Sequence, residues 1–276
     1  MPTYAQVLQR HLASYKTARL GVREAGVFVH NGREVRHGHI LPNELRWLNI
    51  LEPIRAEVRE YLDKHKEVKL HKYFHHLNSS QAFALNLFFP YFEQGSPSEL
   101  LRAMNLSGEL ASWQPEYVDD PNEGTNFDIM WVASDGGRTF CEVKLSEQEF
   151  GTASDDRRHR QKLEDIYRPV LAGQCAPALL EPSTFFSKYQ LLRNVWAAAK
   201  DKTASVVFLV PKANSTLWQE LGPLIEQLSP TLARRVHAVA MEDVLEALSS
   251  SSPPQARLTW YAHLLREKYV APHAAA

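Results

Sequence analysis

Residues 125–145 read TNFDIMWVASDGGRTFCEVKL, and this stretch decides the fold. Two largely apolar stretches flank Ser-Asp-Gly-Gly at 134–137, which is a strong turn signal, and polar and apolar residues alternate at their far ends, over 126–129 and 141–145. The pattern predicts two strands, over residues 126–133 and 138–145, joined as a tight hairpin.

The length of the turn sets the register of this hairpin. A three-residue loop over 134–136 pairs positions that sum to 270, so that Asp128 lies opposite Glu142 and Asn126 lies opposite Lys144. Side chains alternate along a strand, so Glu142 and Lys144 share a face. A slip of one residue would separate these groups. We therefore predict that two carboxylates and an ammonium converge at one end of the hairpin.

The same register assigns the other hairpin side chains to two faces. One face is predicted to hold Phe127, Ile129, Trp131, Thr139, Cys141 and Val143, and the other Asp128, Met130, Val132, Arg138, Phe140 and Glu142. The charged end therefore belongs to a face that is otherwise largely apolar.

Converging carboxylates repel each other unless a positive charge lies between them. Mg²⁺ suits such a site because it takes oxygen ligands and keeps several waters. Asp128 and Glu142 are the predicted ligands, with the Val143 carbonyl as a further one, and Mn²⁺ is the predicted substitute. Lys144 could orient or help deprotonate a metal-bound water, or stabilise charge on a phosphate. The plain structural alternative is an exposed hairpin with a cross-strand ion pair.

Outward from the hairpin, helical and extended patterns alternate. Helices are predicted over residues 4–15, 43–65 (interrupted by Pro53), 78–92 (ended by Pro90), 184–200, 215–227, 241–248 and 258–269. A further short helix is predicted to begin near residue 96. Further strands are predicted over 116–118, 204–210 and 235–240, with a hairpin or extended arm around Asn31-Gly32, a linker over 249–254 and a frayed end at 274–276. This order predicts an α/β protein with a mixed sheet covered by helices.

Composition excludes several classes of protein. The 276 residues are 44% hydrophobic and 23% charged, which excludes disorder, collagen and a coiled coil. Two cysteines exclude a disulfide scaffold, and we expect a reduced, cytoplasmic setting without a secretion signal or membrane span. The net charge of −1 conceals opposite blocks: residues 93–149 hold 12 acidic and 3 basic residues, and the remainder holds 28 basic and 20 acidic ones. Nucleic acid would therefore be held by basic patches beside an acidic centre.

Asp128, thirteen intervening residues and then Glu142-Val143-Lys144 resemble the PD-(D/E)XK nuclease superfamily, which has the restriction-endonuclease-like fold. The resemblance implies a mixed sheet flanked by helices over residues 71–276, with residues 1–70 as an N-terminal helical elaboration. It implies Asp128 and Glu142 as metal ligands and Lys144 as the catalytic lysine. Phe127 stands where the family name has proline.

Many members of that superfamily contribute another acid from the first core helix, and the predicted helix over 78–92 contains none. The open replacements are Gln81, Asn86, Glu99 and Glu116. The helix after the catalytic strand often supports the site in this fold, so Tyr189 and Gln190, with Gln81, are the predicted supporting residues.

Basic residues follow the catalytic strand in a predicted loop of sequence RRHRQK. The predicted nucleic-acid contacts are Arg157, Arg158, Arg160 and Lys162, with a solvated helix start as the alternative. His71 and His75 have the spacing of a metal-binding pair, but ordinary histidines are the better interpretation because a third ligand is lacking in the sequence.

The predicted function is a Mg²⁺-dependent endonuclease that hydrolyses DNA phosphodiester bonds, in restriction or defence. The alternatives are a repair or mobile-element nuclease acting on branched or single-stranded DNA or on RNA, and a catalytically silent nucleic-acid-binding module. A homodimer is left open. The absence of an acid in the first predicted core helix favours the silent module.

Overall fold

The computed structural model describes residues 2–30, 32–94, 96–250 and 258–272. The chain divides into two compact units, the first formed by Met1–Ser107 with Met241–Ala276 and the second by Gly108–Ala240. The boundary expected after residue 70 falls inside the first unit. Most of the predicted linker over 249–254, the predicted end at 274–276 and Asn31 lie outside the described residues.

The first unit is mainly helical, as its sequence predicts. Its described elements are α1 (Tyr4–Leu20), β1 (Gly26–His30), β2 (Arg33–His37), a 3₁₀ helix (Asn43–Asn49), α2 (Glu52–Lys64), α3 (Ser80–Glu93), α4 (Pro97–Ala103), α11 (Met241–Ser250) and α12 (Thr259–Tyr269). Pro53 lies in the first turn of α2, so the predicted break at this proline is confirmed.

Helix α3 continues past Pro90 to Glu93, so the prediction that Pro90 ends it is wrong. A proline inside a helix leaves the carbonyl four residues earlier without its usual N–H donor. That carbonyl belongs to Asn86, and it accepts the hydroxyl of Tyr261 at 2.8 Å instead. A side chain from α12 therefore replaces the missing hydrogen bond.

The second unit contains the predicted sheet. Its described elements are β3 (Leu110–Val118), β4 (Asn126–Ala133), β5 (Arg138–Val143), α5 (Arg157–Lys162), a π-helical turn (Leu163–Tyr167), α6 (Arg168–Leu171), a 3₁₀ helix (Pro177–Leu180), α7 (Pro182–Ser187), α8 (Tyr189–Lys200), β6 (Ser205–Val210), α9 (Ser215–Glu226), α10 (Pro230–Ala233) and β7 (Val236–Ala240). β3 begins earlier than predicted, and the helix predicted over 184–200 is divided in two.

The five strands form one mixed sheet in the order β3-β4-β5-β6-β7. β4 is antiparallel to both of its neighbours, β3 and β5, whereas β5, β6 and β7 run parallel to one another. The predicted fold class, a mixed sheet flanked by helices, is therefore confirmed. Within the described residues, no helix is long and apolar enough to cross a membrane.

The predicted hairpin register is also confirmed over the paired residues, from Ile129–Cys141 to Val132–Arg138. Ile129 pairs with Cys141 and Val132 with Arg138, and both pairs sum to 270. Ala133 N donates to Gly137 O at 2.8 Å and closes the three-residue loop. Gly136 has a φ of +88°, a conformation that glycine adopts without a Cβ penalty.

Phe127 does not lie on the predicted face. Its ring stacks on Phe140 at 4.6 Å, in the core cluster that also contains Met130. The side chains of β4 therefore do not alternate strictly between the two faces at this point. Glu116 on the neighbouring strand β3 has a φ of +53°, which is typical of a bulge. The carboxylate of Asp128 points toward the backbone of β5.

Candidate active site

The three predicted site residues lie around the carboxyl end of β5. Glu142 is the penultimate residue of the strand and Lys144 follows its end. The Lys144 Nζ lies 3.1 Å from Glu142 Oε1, and the Asp128 Oδ2 accepts the backbone N–H of Val143 at 2.7 Å. The side chains of Glu142 and Lys144 are buried, with exposed fractions of 5% and 9%. An exposed hairpin ion pair, the plain structural alternative, does not fit this burial.

Helix α8 supplies two amides to this ion pair. Gln190 donates Nε2–H to Glu142 Oε1 at 2.7 Å and accepts the Lys144 ammonium on Oε1 at 2.9 Å. Asn194, four residues later on the same side of the helix, donates to Glu142 Oε2 at 3.2 Å. Both carboxylate oxygens of Glu142 are therefore oriented by α8. Asn194 is fully buried, and the sequence prediction missed it although its i+4 spacing from Gln190 was visible.

Asp128 is half-buried and close to other carboxylates. Burial, followed by the neighbouring carboxylates of Glu142 and Glu116, raises the pKa of Asp128 well above its usual value. Glu116 lies on β3 between the residues paired with Ile129 and Phe127, so its backbone is opposite Asp128. Among the four open replacements for the missing acid, Glu116 is the acid whose charge reaches Asp128.

Lys144 has opposing influences on its charge. Burial lowers its pKa, but the carboxylates of Glu142, Glu147 and Asp128 raise it, and the net pKa is raised. The side chain is therefore an ammonium at neutral pH. Its Nζ also lies 5.7 Å from the centre of the Phe150 ring.

A second buried network anchors the segment before β4 to α8. Arg193 Nε donates to Glu123 Oε1 at 2.7 Å and to Thr125 Oγ1 at 2.9 Å. The Tyr167 hydroxyl donates to the same Glu123 oxygen at 2.5 Å and lies 3.2 Å from the Tyr189 hydroxyl. Tyr189 and Gln190 were both predicted to support the site. Tyr189 belongs to the network around Glu123, and Gln190 contacts the Glu142–Lys144 pair.

These hydrogen bonds keep Glu123 ionised although it is buried. Burial raises its pKa, but hydrogen bonds from Thr125 and Tyr167 and the charge of Arg193 outweigh it, so that the net pKa is lowered. The sequence prediction missed this network because Glu123 and Arg193 are 70 residues apart.

The oxygen donors of the site suit a hard divalent cation. Asp128 and Glu142 supply two carboxylates. The negative charges of Glu142 and Glu116 repel the ionised form of Asp128, and a bound cation would offset this repulsion. Among the described residues, no group of three or more His, Cys, Asp or Glu side chains is placed to hold a metal ion. A magnesium ion here would therefore depend on two carboxylates, a carbonyl and water.

The other predicted residues lie elsewhere. Gln81 is in the first unit, where its Nε2 donates to Lys69 O at 2.9 Å and its Oε1 accepts the N–H of His71 at 2.8 Å. Asn86 binds the backbone of Leu51 and Asn49 and the Tyr269 hydroxyl in that unit, which also contains Glu99. The helix expected to open the nuclease core, α3, thus belongs to the first unit.

The basic segment 157–162 is helix α5, so its prediction as a loop is wrong. Asp156 caps the helix by accepting the N–H of His159 at 2.9 Å. Arg160 pairs with Asp155, and Lys162 donates to the carbonyl of Glu123 at 2.7 Å. Arg157 and Arg158 are exposed and make no side-chain ion pair with the part of the chain that the structure describes.

Comparison with known proteins places the chain in a family. Residues 9–270 match the family model described as Restriction Endonuclease associating with ARP. The chain belongs to this family. The match spans residues of both units. No curated protein and no solved structure matches the chain.

Proposed function

We propose that this restriction-endonuclease family member is a Mg²⁺-dependent deoxyribonuclease of the PD-(D/E)XK type. The observation that carries the proposal is the buried Glu142–Lys144 pair, 3.1 Å apart, beside the carboxylate of Asp128. A buried charged cluster is costly to maintain, and such clusters concentrate at functional sites. Restriction or defence is the proposed biological role.

In the proposed site, Asp128, Glu142 and the Val143 carbonyl hold the metal. When bound, Mg²⁺ supplies Lewis acidity and a water of lowered pKa for attack on phosphorus. The ammonium of Lys144 stabilises negative charge that develops on the phosphate. Gln190 fixes the separation of Glu142 and Lys144 by binding both. The products are a 5′-phosphate and a 3′-hydroxyl.

The proposal is tested with plasmid and single-stranded DNA, with and without Mg²⁺ or Mn²⁺. Asp128→Asn, Glu142→Gln and Lys144→Met are each expected to reduce metal-dependent cleavage by at least about 100-fold, because each removes one charged group that acts in the proposed reaction. Glu60→Gln and Lys64→Met are the matched controls, because Glu60 and Lys64 form an exposed pair at 2.7 Å. Cleavage retained by Glu142→Gln would contradict the proposal.

A silent nucleic-acid-binding module is the second candidate. It is favoured by the hydrogen bonds of Lys144, Gln190 and Asn194, which already engage both oxygens of Glu142. Calorimetric titration with Mg²⁺ separates the candidates, since an active site binds the ion and Glu142→Gln weakens that binding. DNA binding without metal binding or cleavage would favour the silent module. Cleavage confined to branched or single-stranded substrates, or to RNA, would favour a repair or mobile-element role.

A further inference from the structure

We propose that the β1–β2 hairpin and segment 69–77 form a docking surface for duplex DNA, called here the hairpin surface. It lies in the first unit, whereas Glu142 and Lys144 belong to the second. The inference rests on the proposed function in one respect, that the substrate is DNA. It assigns part of the grip on that substrate to residues outside the cleavage site.

Direct contacts join the two segments into one surface. The Phe28 ring lies 5.2 Å from the Tyr73 ring and 5.6 Å from the His76 ring, both edge to face. His75 Nε2 lies 3.4 Å from the Val27 carbonyl oxygen. Backbone bonds from Leu41 N to His75 O and from Leu77 N to His39 O extend the connection beyond the hairpin. The inner face of the hairpin is thus fixed by aromatic packing.

The outer part of the hairpin is open to solvent. β1 and β2 pair with each other as a two-stranded sheet, with Phe28 opposite Val35 and Val29 opposite Glu34. Val29 and Val35 are 52% and 44% exposed, and Arg33 and Arg36 are also exposed. A two-stranded ribbon fits the major groove of B-DNA, where apolar side chains can meet thymine methyl groups.

The charge of the hairpin surface complements phosphate. Its two segments, residues 26–37 and 69–77, contain a single acid, Glu34, against the cations of Arg33, Arg36, Lys69 and Lys72. Arg36 lies 3.7 Å from Glu24, and both side chains are more than 60% exposed, so this ion pair is weak.

The remaining cations of the hairpin surface lack a carboxylate partner in the described part of the chain. Lys72 Nζ lies 4.6 Å from the centre of the Tyr73 ring. Arg33, Lys69 and Lys72 form no ion pair with a carboxylate among the described residues. Exposed cations beside an aromatic ring and a two-stranded ribbon match the backbone and groove contacts of DNA-binding proteins.

The histidines beneath this surface do not offer a competing explanation. Burial, followed by the neighbouring His37 and Lys16, lowers the pKa of His39 to about 4, so this ring is neutral at neutral pH. Within the described residues, no three His, Cys, Asp or Glu side chains are arranged to bind a metal. The surface therefore carries its positive charge on arginine and lysine.

The test measures binding of the full chain to a labelled duplex of about two helical turns by fluorescence anisotropy, in EDTA so that no cleavage occurs. Each cation that contacts a phosphate contributes roughly 0.9 to the slope of log affinity against log salt. The double variants Arg33→Ala/Arg36→Ala and Lys69→Ala/Lys72→Ala are each expected to reduce that slope by up to about 2 and to weaken binding at low salt.

Arg46→Ala/Arg102→Ala is the matched control, because both arginines are exposed in the same unit outside the hairpin surface. It should leave the slope unchanged, and circular dichroism should show that all variants fold. An unchanged slope in both surface variants, an equal loss in the control, or no DNA binding by the wild type would overturn the inference.

The Glu142→Gln variant separates this inference from the proposed function. It should bind DNA with the wild-type slope, because Glu142 is not a phosphate-binding cation. If neither the wild type nor any variant cleaves DNA, but the surface variants show a smaller slope of log affinity against log salt, the nuclease proposal fails and the hairpin surface is supported. If cleavage depends on Glu142 but the surface variants have the same salt dependence of binding as the wild type, only the proposal of the hairpin surface fails.

Discussion

At the scale of single residues, the site depends on how Gln190 is held. One amide satisfies both members of an ion pair, accepting from Lys144 and donating to Glu142. Its own backbone N–H donates to Gly151 O at 3.3 Å. The loop after β5 and the start of α8 are thereby connected, and the side chain has little freedom to leave the ion pair.

Gln190→Leu should reduce cleavage more than it reduces stability. We expect a loss of about 10- to 100-fold in rate, comparable to the effect of removing a group that orients a metal ligand. The free energy of unfolding should fall by about 1–3 kcal/mol, because the buried charges lose a hydrogen-bond partner. Cleavage assays and urea unfolding measure both.

Gln161→Leu is the control for this substitution, since Gln161 donates to Asp165 at 2.6 Å on an exposed surface. It should change neither property appreciably. Equal rates in Gln190→Leu and the wild type would show that the amide does not position the ion pair.

Gly151 provides a second test at this scale. It has a φ of +90°, and a Cβ added to it would lie 3.2 Å from Gln190 Oε1. Gly173 has a φ of +77° with nothing within 4 Å of such a Cβ. Gly151→Ala and Gly173→Ala should each lose about 1–2 kcal/mol of stability from backbone strain.

Gly151→Ala alone should also reduce cleavage, because the new methyl group displaces Gln190. The ratio of the two rates at equal folded fraction is the informative measurement. A matching loss of rate in Gly173→Ala would mean that strain, and not displacement of the amide, is responsible.

At the scale of elements, the Glu123–Arg193 pair fixes the segment before β4 against α8. The Glu123 side chain is 1% exposed, and Arg193 is 20% exposed. Breaking a buried ion pair leaves an uncompensated charge and costs about 3–5 kcal/mol. Since β4 carries Asp128 and α8 carries Gln190, this pair holds the two sides of the site in register.

Glu123→Ala should therefore destabilise the protein by about 3 kcal/mol, and Arg193→Ala should add little in the double variant. The corresponding cycle on Glu164 and Arg168, an exposed pair at 2.8 Å, should give a coupling energy of about 0.5 kcal/mol or less. Denaturant unfolding of the single and double variants gives both energies. Additive losses at Glu123 and Arg193 would argue that the two residues act independently.

At the scale of the whole molecule, stability should depend on pH through His76, a partly buried histidine of the first unit. Burial, followed by the charges of His75, His39, His37 and His71, lowers the pKa of His76 from 6.5 to about 3. Between these two pH values, His76 binds a proton in the unfolded chain but not in the folded chain. The free energy of unfolding should therefore fall as the pH decreases from about 6.5 toward 3.

His76→Phe should reduce this dependence, because phenylalanine keeps a ring against Phe28 and Tyr73 without a titrating group. Between pH 7 and pH 5, the variant should lose up to about 2 kcal/mol less stability than the wild type. Urea unfolding at the two pH values, followed by circular dichroism, measures the difference. Parallel curves for the two proteins would exclude His76 as the source.

Much of the second unit was predictable because its signals are local. The turn at 134–136 needs a residue with positive φ at Gly136, and the alternation around it fixes which residues of β5 share a face. That was sufficient to place Glu142 beside Lys144. It was not sufficient for Phe127, because the positive φ of Glu116 on another strand alters the alternation there.

Local signals in the sequence were sufficient for strands β4 and β5, for the register of their hairpin and for the pairing of Glu142 with Lys144, since each depends on residues within about twenty positions of one another. The tertiary structure decided which distant side chains complete the site and which unit each helix joins. Asn194 contacts Glu142 across 52 positions, and the Tyr261 hydroxyl of α12 reaches the Asn86 carbonyl of α3 across 175. Such contacts arise from the packing of side chains over a whole unit, which local periodicity does not encode.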